Sequence, residues 1–208
     1  MAKPERPHEY RVLNRRQRFV GRVFEVVTDT VTMPGGGSAD RDYVRHIGAV
    51  GVAALDPQGR VALVRQYRHP VGWAMWELPA GLNDMAGEDP LDTARRELAE
   101  EAEVTAQQWH LLLDLHTSPG ASDERIRIYL ARDLAPAAGS PHRSDEEAEM
   151  TTAWWPLDDA VELALSGKIT NGPAVAGLLA AQRARDTGWV ALRSADAPAP
   201  DGSLVPKD

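Results

Sequence analysis

The chain has 208 residues, of which 43% are apolar and 26% are charged, a balance typical of a globular protein with one good-sized core. Its formal charge of −8 argues against a broad nucleic-acid-binding face, and the absence of cysteine excludes disulfides, thiolate metal sites and a cysteine nucleophile. No apolar run approaches the roughly 18 residues of a membrane-spanning helix, and the N-terminal stretch lacks the apolar core of a signal peptide. We therefore expect a cytoplasmic protein with neither a nucleic acid nor a membrane as its partner.

The first part of the chain predicts a β arm followed by two central strands. Residues 1–18 are polar and basic and are predicted to be loosely ordered. From Phe19 onward apolar and polar residues alternate until the sequence PGGG at 34–37 reverses the chain, which predicts an antiparallel hairpin-like arm. Two short apolar runs, GAVGVAALD and RVALVRQYR, follow the arm and are joined by the turn residues DPQG, which favours central strands.

The second part predicts a central helix, further strands and two closing helices. Asp89 and Pro90 are typical of an N-cap and a first helical position, so we expect a helix from there to about Ala102. Strands on both sides of this helix, with helices at the end, favour an α/β protein with a mixed sheet in an α/β/α sandwich. The later strands are predicted in WHLLLDLHT, RIRIYLARD and MTTAWW, and the closing helices in PLDDAVELALSG and PAVAGLLAAQRAR.

The central helix carries closely spaced carboxylates beside its apolar face. At about 100° per residue, Glu97, Glu100 and Glu101 share one side of the helix, and Arg96 lies four residues before Glu100, where it can form an ion pair. Exposed like charges at this spacing repel by roughly 0.2–0.5 kcal/mol per pair, and the ordinary interpretation is a solvated helix face. Carboxylates clustered beside a glycine-containing loop are, alternatively, the oxygen ligands that Mg²⁺ or Mn²⁺ prefers.

This region resembles the Nudix box, G-x5-E-x7-R-E-U-x-E-E-x-G-U, in which U is an aliphatic residue. The sequence departs from the box at two points, because six residues fill the first gap instead of five and Glu103 replaces the final glycine. That glycine often adopts a left-handed conformation at the helix end, which a non-glycine residue adopts at some cost. The matching residues are Gly81, Glu88, Arg96, Glu97, Leu98, Glu100, Glu101 and Val104.

Over roughly residues 20–182 the chain resembles the ADP-ribose pyrophosphatases of this family, through the GGG arm, the QYR and WELPAG sequences and the SPGASDE loop. The resemblance implies a Nudix-type α/β/α sandwich with a mixed sheet and an N-terminal antiparallel β arm. Residues 1–45 are then the arm, 46–185 the Nudix domain, and 186–208 a disordered tail that is rich in proline and alanine. The resemblance also implies a homodimer whose N-terminal arms cross to the partner.

The resemblance further implies a hydrolase that uses Mg²⁺, with Mn²⁺ as an alternative, to cleave ADP-ribose into AMP and ribose 5-phosphate. Glu97 and Glu101 are expected to be the principal metal ligands, with Glu100 beside them and the Ala80 carbonyl completing the site. Arg96 is expected to hold a carboxylate of this group in place.

A general base is expected from the acidic loop SDEEAE, where the resemblance favours Glu147 and makes Glu146 the second choice. A base must lie within hydrogen-bonding reach of the attacking water, and closure of such a loop can provide that contact.

The substrate is expected to contact residues before and after the box. Arg68 is predicted to bind a phosphate through two guanidinium donors, although it is alternatively a surface arginine at a strand end, and Arg45 is given a similar role. By resemblance, Pro119 helps to mark ADP-ribose as the substrate, and Ser122 and Glu124 lie in the loop that contacts its ribose phosphate.

Three alternatives remain open from the sequence. The same chemistry can act on another nucleoside diphosphate derivative, such as a nucleotide sugar, NADH or a dinucleoside polyphosphate. A Nudix domain can also sense ADP-ribose without cleaving it, but such a regulator is expected to lack one of the acidic residues or to carry a DNA-binding module. The third alternative is a structural interaction domain with a solvated acidic helix.

Overall fold

The computed structural model of the chain describes residues 8–85, 87–138, 149–190 and 192–200. These residues form two compact units. The first unit contains the chain up to Ile47 together with Ser118–Glu124, and the second contains Gly48–Thr117 and the chain from Arg125 onward. None of the described helices has the length and apolar content needed to cross a membrane.

The first unit is built on an antiparallel sheet of three strands in the order β1-β2-β3, which confirms the predicted β arm. The turn between β2 and β3 contains Gly35, Gly36 and Gly37, all with positive φ, a conformation that glycine adopts without steric cost. The strands are β1 (Val12–Val20), β2 (Phe24–Thr32) and β3 (Ser38–His46).

Strand β1 differs from the sequence prediction, which expected loose order up to residue 18. All nine of its residues are exposed, so no alternation of apolar and polar residues identifies it in the sequence. Its pairing with β2 is supported by Arg15, whose Nε and Nη2 each donate to the buried Asp29 carboxylate at 2.7 Å. Tyr43 donates to the same carboxylate at 3.1 Å, so this polar group is satisfied inside the arm.

The second unit contains two sheets and three helices. Five strands form a mixed sheet in the order β11-β8-β9-β4-β7, in which β4 and β9 are parallel, and three antiparallel strands form a sheet in the order β10-β5-β6. The elements are β4 (Ala49–Ala54), β5 (Arg60–Arg68), β6 (Trp73–Glu77), β7 (Ala80–Leu82), α1 (Pro90–Ala102), β8 (Val104–His116), β9 (Arg125–Pro136), β10 (Thr151–Pro156), α2 (Leu157–Leu165), α3 (Gly172–Asp186) and β11 (Arg193–Ser194).

Two apolar clusters lie on opposite faces of the central strands and make the second unit an α/β/α sandwich. Because side chains alternate along a strand, Tyr129 and Ile128 of β9 belong to different clusters. Tyr129 lies in the cluster with Leu98 of α1, whereas Ile128 lies in the cluster with Leu178 of α3. The predicted sandwich with a mixed sheet is therefore confirmed.

Helix α1 begins and ends as the sequence predicts. The Asp89 side chain accepts the N–H of Leu91 at 2.9 Å, and Pro90 occupies the first turn. The helix ends at Ala102, and Glu103 then adopts φ 58° and ψ 28°, the left-handed conformation usually held by the glycine of the box.

The segment that follows α3 differs in part from the expected disordered tail. Arg193–Ser194 pairs with His110 and Leu111 of β8, and Arg127 donates through Nη1 to the Ala197 carbonyl at 3.0 Å. This part of the segment is held by backbone pairing and by an arginine distant in sequence, neither of which its proline- and alanine-rich composition reveals.

Candidate active site

Two buried carboxylates, Glu97 and Glu101, lie one helical turn apart on α1. Their residues are only 9% and 6% exposed, although glutamate is rarely buried unless it is paired. Hydrogen bonds hold both the side chain and the main chain of Glu101. Its Oε2 accepts the N–H of Ala80 at 2.8 Å, and its main-chain carbonyl accepts the Thr152 hydroxyl at 2.7 Å. Helix α1 thus holds acidic side chains against the start of β7.

Gly81 makes room for the other carboxylate. A Cβ atom at this position would lie well inside 3.0 Å of the Cγ, Cδ and Oε1 atoms of Glu97, closer than real Cβ atoms approach a neighbour. The missing side chain at Gly81 therefore allows Glu97 to pack directly on the backbone of β7.

Arg96 connects three acidic side chains of the site. Its Nη1 lies 2.6 Å from Oε1 of Glu97 and 3.3 Å from Oε2 of Glu100, so the predicted pair between Arg96 and Glu100 is present. Its Nη2 lies 3.3 Å from Oε2 of Glu88, which also accepts the Thr93 hydroxyl at 2.9 Å. One guanidinium group thus orients the acidic residues of two consecutive helical turns and of the preceding loop.

The contact between Arg96 and Glu88 favours the charged form of both groups. Burial alone would lower the pKa of Arg96, but its hydrogen bonds with Glu88 and Glu97 raise that pKa above the ordinary arginine value. The hydrogen bonds from Arg96 lower the pKa of Glu88 against the opposing effect of burial, and the bond from Thr93 lowers it further. Each partner therefore stabilises the charged form of the other.

The donor set fits a hard divalent cation in its chemistry. Mg²⁺ and Mn²⁺ prefer oxygen ligands, such as carboxylates and main-chain carbonyls. The site offers the carboxylates of Glu97 and Glu101 beside the backbone of Ala80 and Gly81. Within the described parts of the chain, no three acidic or histidine side chains converge closely enough to hold a metal ion. In this structure Glu97 and Glu100 contact Arg96, whereas Glu101 contacts the N–H of Ala80.

Arg68 forms the predicted two-donor contact, but with a carboxylate of the protein. Its Nε and Nη2 donate to the two carboxylate oxygens of Glu77 at 2.9 and 2.6 Å. Glu77 is only 3% exposed and lies on β6, next to the β5 strand that carries Arg68. Sequence reasoning missed Glu77, because no local spacing indicates a partner on a neighbouring strand, and phosphate binding by Arg68 stays a prediction.

The other predicted substrate residues described by the structure belong to the first unit. Arg45 of β3 donates through Nη1 to Glu25, and its Nε lies 3.9 Å from the carboxylate of Asp123 in the SPGASDE loop. In the same loop, Pro119 is exposed and the Ser122 hydroxyl oxygen accepts the N–H of Glu124 at 3.0 Å. The two candidate bases, Glu146 and Glu147, lie outside the described residues.

Comparisons with known proteins identify the family of the chain. The model of the NUDIX domain matches residues 45–178. An ADP-ribose pyrophosphatase from Mycobacterium tuberculosis (strain ATCC 25618 / H37Rv) is 44% identical over 192 residues, which cover 88% of this chain and 92% of that protein. A CMP-5'-(N-acetyl-N-hydroxy-3-aminopropyl)phosphonate hydrolase from Streptomyces rubellomurinus (strain ATCC 31215) is 38% identical, over 78% of this chain and 82% of that protein.

Among solved structures, the crystal structure of an ADP compounds hydrolase shares the fold. It superposes with a TM-score of 0.72 over 88% of this chain and 98% of its own, at 22% sequence identity. The domain match and the extent of the 44% identity show that the chain belongs to the NUDIX family.

Proposed function

We propose that the protein is a Mg²⁺-dependent pyrophosphohydrolase that cleaves ADP-ribose to AMP and ribose 5-phosphate. The observation that carries this proposal is the pair of buried carboxylates, Glu97 and Glu101, packed against Ala80 and Gly81 in a chain of the NUDIX family. The similarity to an ADP-ribose pyrophosphatase over most of both chains supports the choice of substrate.

Glu97 and Glu101 are the proposed ligands of the ion, together with Glu100 and the Ala80 carbonyl. Members of this family generally use a divalent metal ion, and the oxygen donor set supports Mg²⁺, with Mn²⁺ as the alternative. When bound, such an ion neutralises diphosphate oxygens and lowers the pKa of a coordinated water.

Arg96 is proposed to position the acidic residues. Its simultaneous contacts to Glu88, Glu97 and Glu100 restrict the rotamers of those three side chains. Held carboxylates lose less conformational freedom when a substrate complex forms, and such preorganisation is a general source of catalytic rate.

The remaining roles are proposed from the chemistry of the residues. Glu147, or Glu146 in its place, is the proposed general base, supported by the run of acidic residues in SDEEAE. Arg68 and Arg45 are proposed to bind phosphate oxygens through their guanidinium groups. Pro119 is proposed to help select ADP-ribose as the substrate, and Ser122 and Glu124 are proposed to contact its ribose phosphate.

We also propose a homodimer formed through the arm. The exposed strand β1 carries large apolar side chains that a partner can cover, including Leu13 at 61%, Phe19 at 55% and Val20 at 63% exposure. Light scattering of the full chain and of a chain lacking residues 1–20 tests this proposal. We expect a dimer for the full chain and a monomer after truncation, and a monomeric full chain would refute the dimer.

The function is tested with a panel of substrates at equal concentrations. The panel contains ADP-ribose, a nucleotide sugar, NADH, a dinucleoside polyphosphate and a CMP-linked phosphonate, each incubated with Mg²⁺ and with a chelator. We expect AMP and ribose 5-phosphate from ADP-ribose in Mg²⁺ alone. Preferred cleavage of another compound would reassign the substrate, and binding of ADP-ribose without turnover of any compound would indicate a sensor.

A further inference from the structure

The SPGASDE loop is hydrogen-bonded to the edge of the arm sheet in the first unit. The outer edge of β3 pairs with this loop, because Val44 donates its N–H to the Ala121 carbonyl at 2.9 Å and accepts the N–H of Asp123 at 3.1 Å. Val44 and Ser122 thus form a parallel bridge, and Ser118–Glu124 clusters with the arm. The loop is therefore anchored to β3 by an isolated parallel bridge.

The side chain of Asp123 extends this pairing by one further bond. In a continued parallel ladder the N–H of His46 would donate to the main-chain carbonyl of residue 123. Here the Asp123 Oδ1 accepts that N–H at 2.8 Å, and the other carboxylate oxygen lies 3.9 Å from Nε of Arg45. A side chain thus replaces the main chain as the acceptor at the end of the ladder.

Asp123 lies between two residues with proposed roles in substrate binding. The Ser122 hydroxyl oxygen accepts the Glu124 N–H, and Oε1 of Glu124 lies 3.5 Å from Nδ1 of His46. The positions of Ser122 and Glu124 are therefore coupled to the residue that ties the loop to β3.

We infer that Asp123 is a positioning residue, which fixes the SPGASDE loop to β3 of the arm and thereby sets the affinity for ADP-ribose. This inference rests on the proposed function. Hydrogen bonds to a charged acceptor are among the stronger ones in proteins, so loss of this bond releases the end of the loop. The acidic residues of α1 belong to the other unit, so the catalytic step itself keeps its groups.

Three variants test the inference through steady-state kinetics with ADP-ribose. Asp123→Ala removes the acceptor and should raise KM about ten- to hundredfold while kcat changes less than about twofold. Asp123→Asn keeps an oxygen acceptor for His46 and should stay within about threefold of the original KM. Asp159→Ala removes a different exposed carboxylate from α2 and should leave both constants unchanged.

Because the Asp123 side chain is 47% exposed, we expect its variants to remain folded, and thermal unfolding of each variant checks this expectation. An unchanged KM in Asp123→Ala would overturn the inference. So would an Asp123→Asn variant as impaired as Asp123→Ala, because the bond to His46 would then not be the cause.

Hydrogen exchange separates this inference from the proposed function. The N–H groups of Val44 and His46 should exchange faster in Asp123→Ala than in the original protein, and Asp123→Asn should retain their protection. If the original protein does not cleave ADP-ribose, the proposed function is wrong. The exchange rates of the Val44 and His46 N–H groups still test the anchoring of the loop, because they are measured without substrate. Equal protection in all three proteins would overturn the anchoring as well.

Discussion

Glu97 occupies the space that a side chain at position 81 would need. Its carboxylate and its Cγ atom lie within 3.0 Å of the Cβ position of Gly81, and Nη1 of Arg96 lies 2.6 Å from Oε1 of the same side chain. The glycine at the start of the box is thus explained by its contact with an acidic residue sixteen positions later, and not by an unusual backbone conformation.

The substitution Gly81→Ala should displace Glu97 and reduce kcat/KM by about a hundredfold, since small misplacements of catalytic groups have effects of this size. The new methyl group meets Cγ, which cannot move away as easily as the end of a flexible side chain. Kinetics with ADP-ribose and a thermal melt measure the two effects.

Gly172→Ala is the matched control for Gly81→Ala. A Cβ atom at Gly172 would meet no atom within 4 Å, and this glycine begins α3. The control should keep its activity, and equal losses in both variants would show that the contact with Glu97 is irrelevant.

The substitution Glu101→Gln tests whether the carboxylate charge of Glu101 is needed. Glutamine keeps an oxygen that can accept the N–H of Ala80, so the fold should persist, but the charge available to a cation is lost. A bound metal supplies several kcal/mol of transition-state stabilisation, and we therefore expect kcat to fall by about a thousandfold.

The exposed Glu162 on α2 provides the control for this experiment, and Glu162→Gln should keep full activity. Titration with Mg²⁺ by calorimetry, without substrate, should show weaker binding in Glu101→Gln only. Near-normal turnover of Glu101→Gln would remove Glu101 from the proposed ligands.

The features that the sequence predicts well are local ones. The start of α1 at Asp89 and Pro90 depends on neighbouring residues, and the contact between Arg96 and Glu100 depends on helical spacing. Both features involve residues no more than four positions apart, and the specific spacing of the box then indicates which carboxylates belong together.

Long-range pairs were not predictable in the same way. Glu77 lies on a different strand from Arg68, and Asp123 is 77 residues from His46, so no short pattern connects either pair. Strand β1 is fully exposed and lacks the alternating burial that identifies other strands. These features depend on which chain segments meet in the fold, and a single sequence shows that only through its resemblance to known proteins.

The pair between Glu88 and Arg96 should make part of the stability depend on pH. The pKa of folded Glu88 is lowered, mainly by hydrogen bonding to Arg96, so the unfolded chain binds its proton more readily. The pair therefore stabilises the fold above the ordinary glutamate pKa, near 4.5, and this contribution is lost as the pH falls through the lowered value.

Thermal unfolding of Glu88→Gln measures this contribution. Its Tm should lie below that of the original protein at pH 7, and the difference should shrink as the pH is lowered from 5 to 3. Glu162→Gln removes an exposed carboxylate elsewhere and should show no such dependence. A difference that stays constant between pH 7 and pH 3 would exclude the ion pair as its origin.

The left-handed conformation of Glu103 should destabilise the protein slightly. Residues with a Cβ atom pay roughly 1–2 kcal/mol for this conformation, whereas glycine adopts it freely but loses more backbone entropy on folding. With φ at 58°, relief of the left-handed strain should prevail over the entropy loss in Glu103→Gly, and we expect a gain of about 0.5–1 kcal/mol in the free energy of unfolding.

Glu162→Gly places the same substitution inside α2, where it should lower the free energy of unfolding by about 0.5–1 kcal/mol. Denaturant unfolding of both variants measures these opposite signs, and a loss of stability in Glu103→Gly would show that contacts of the Glu103 side chain outweigh its backbone strain.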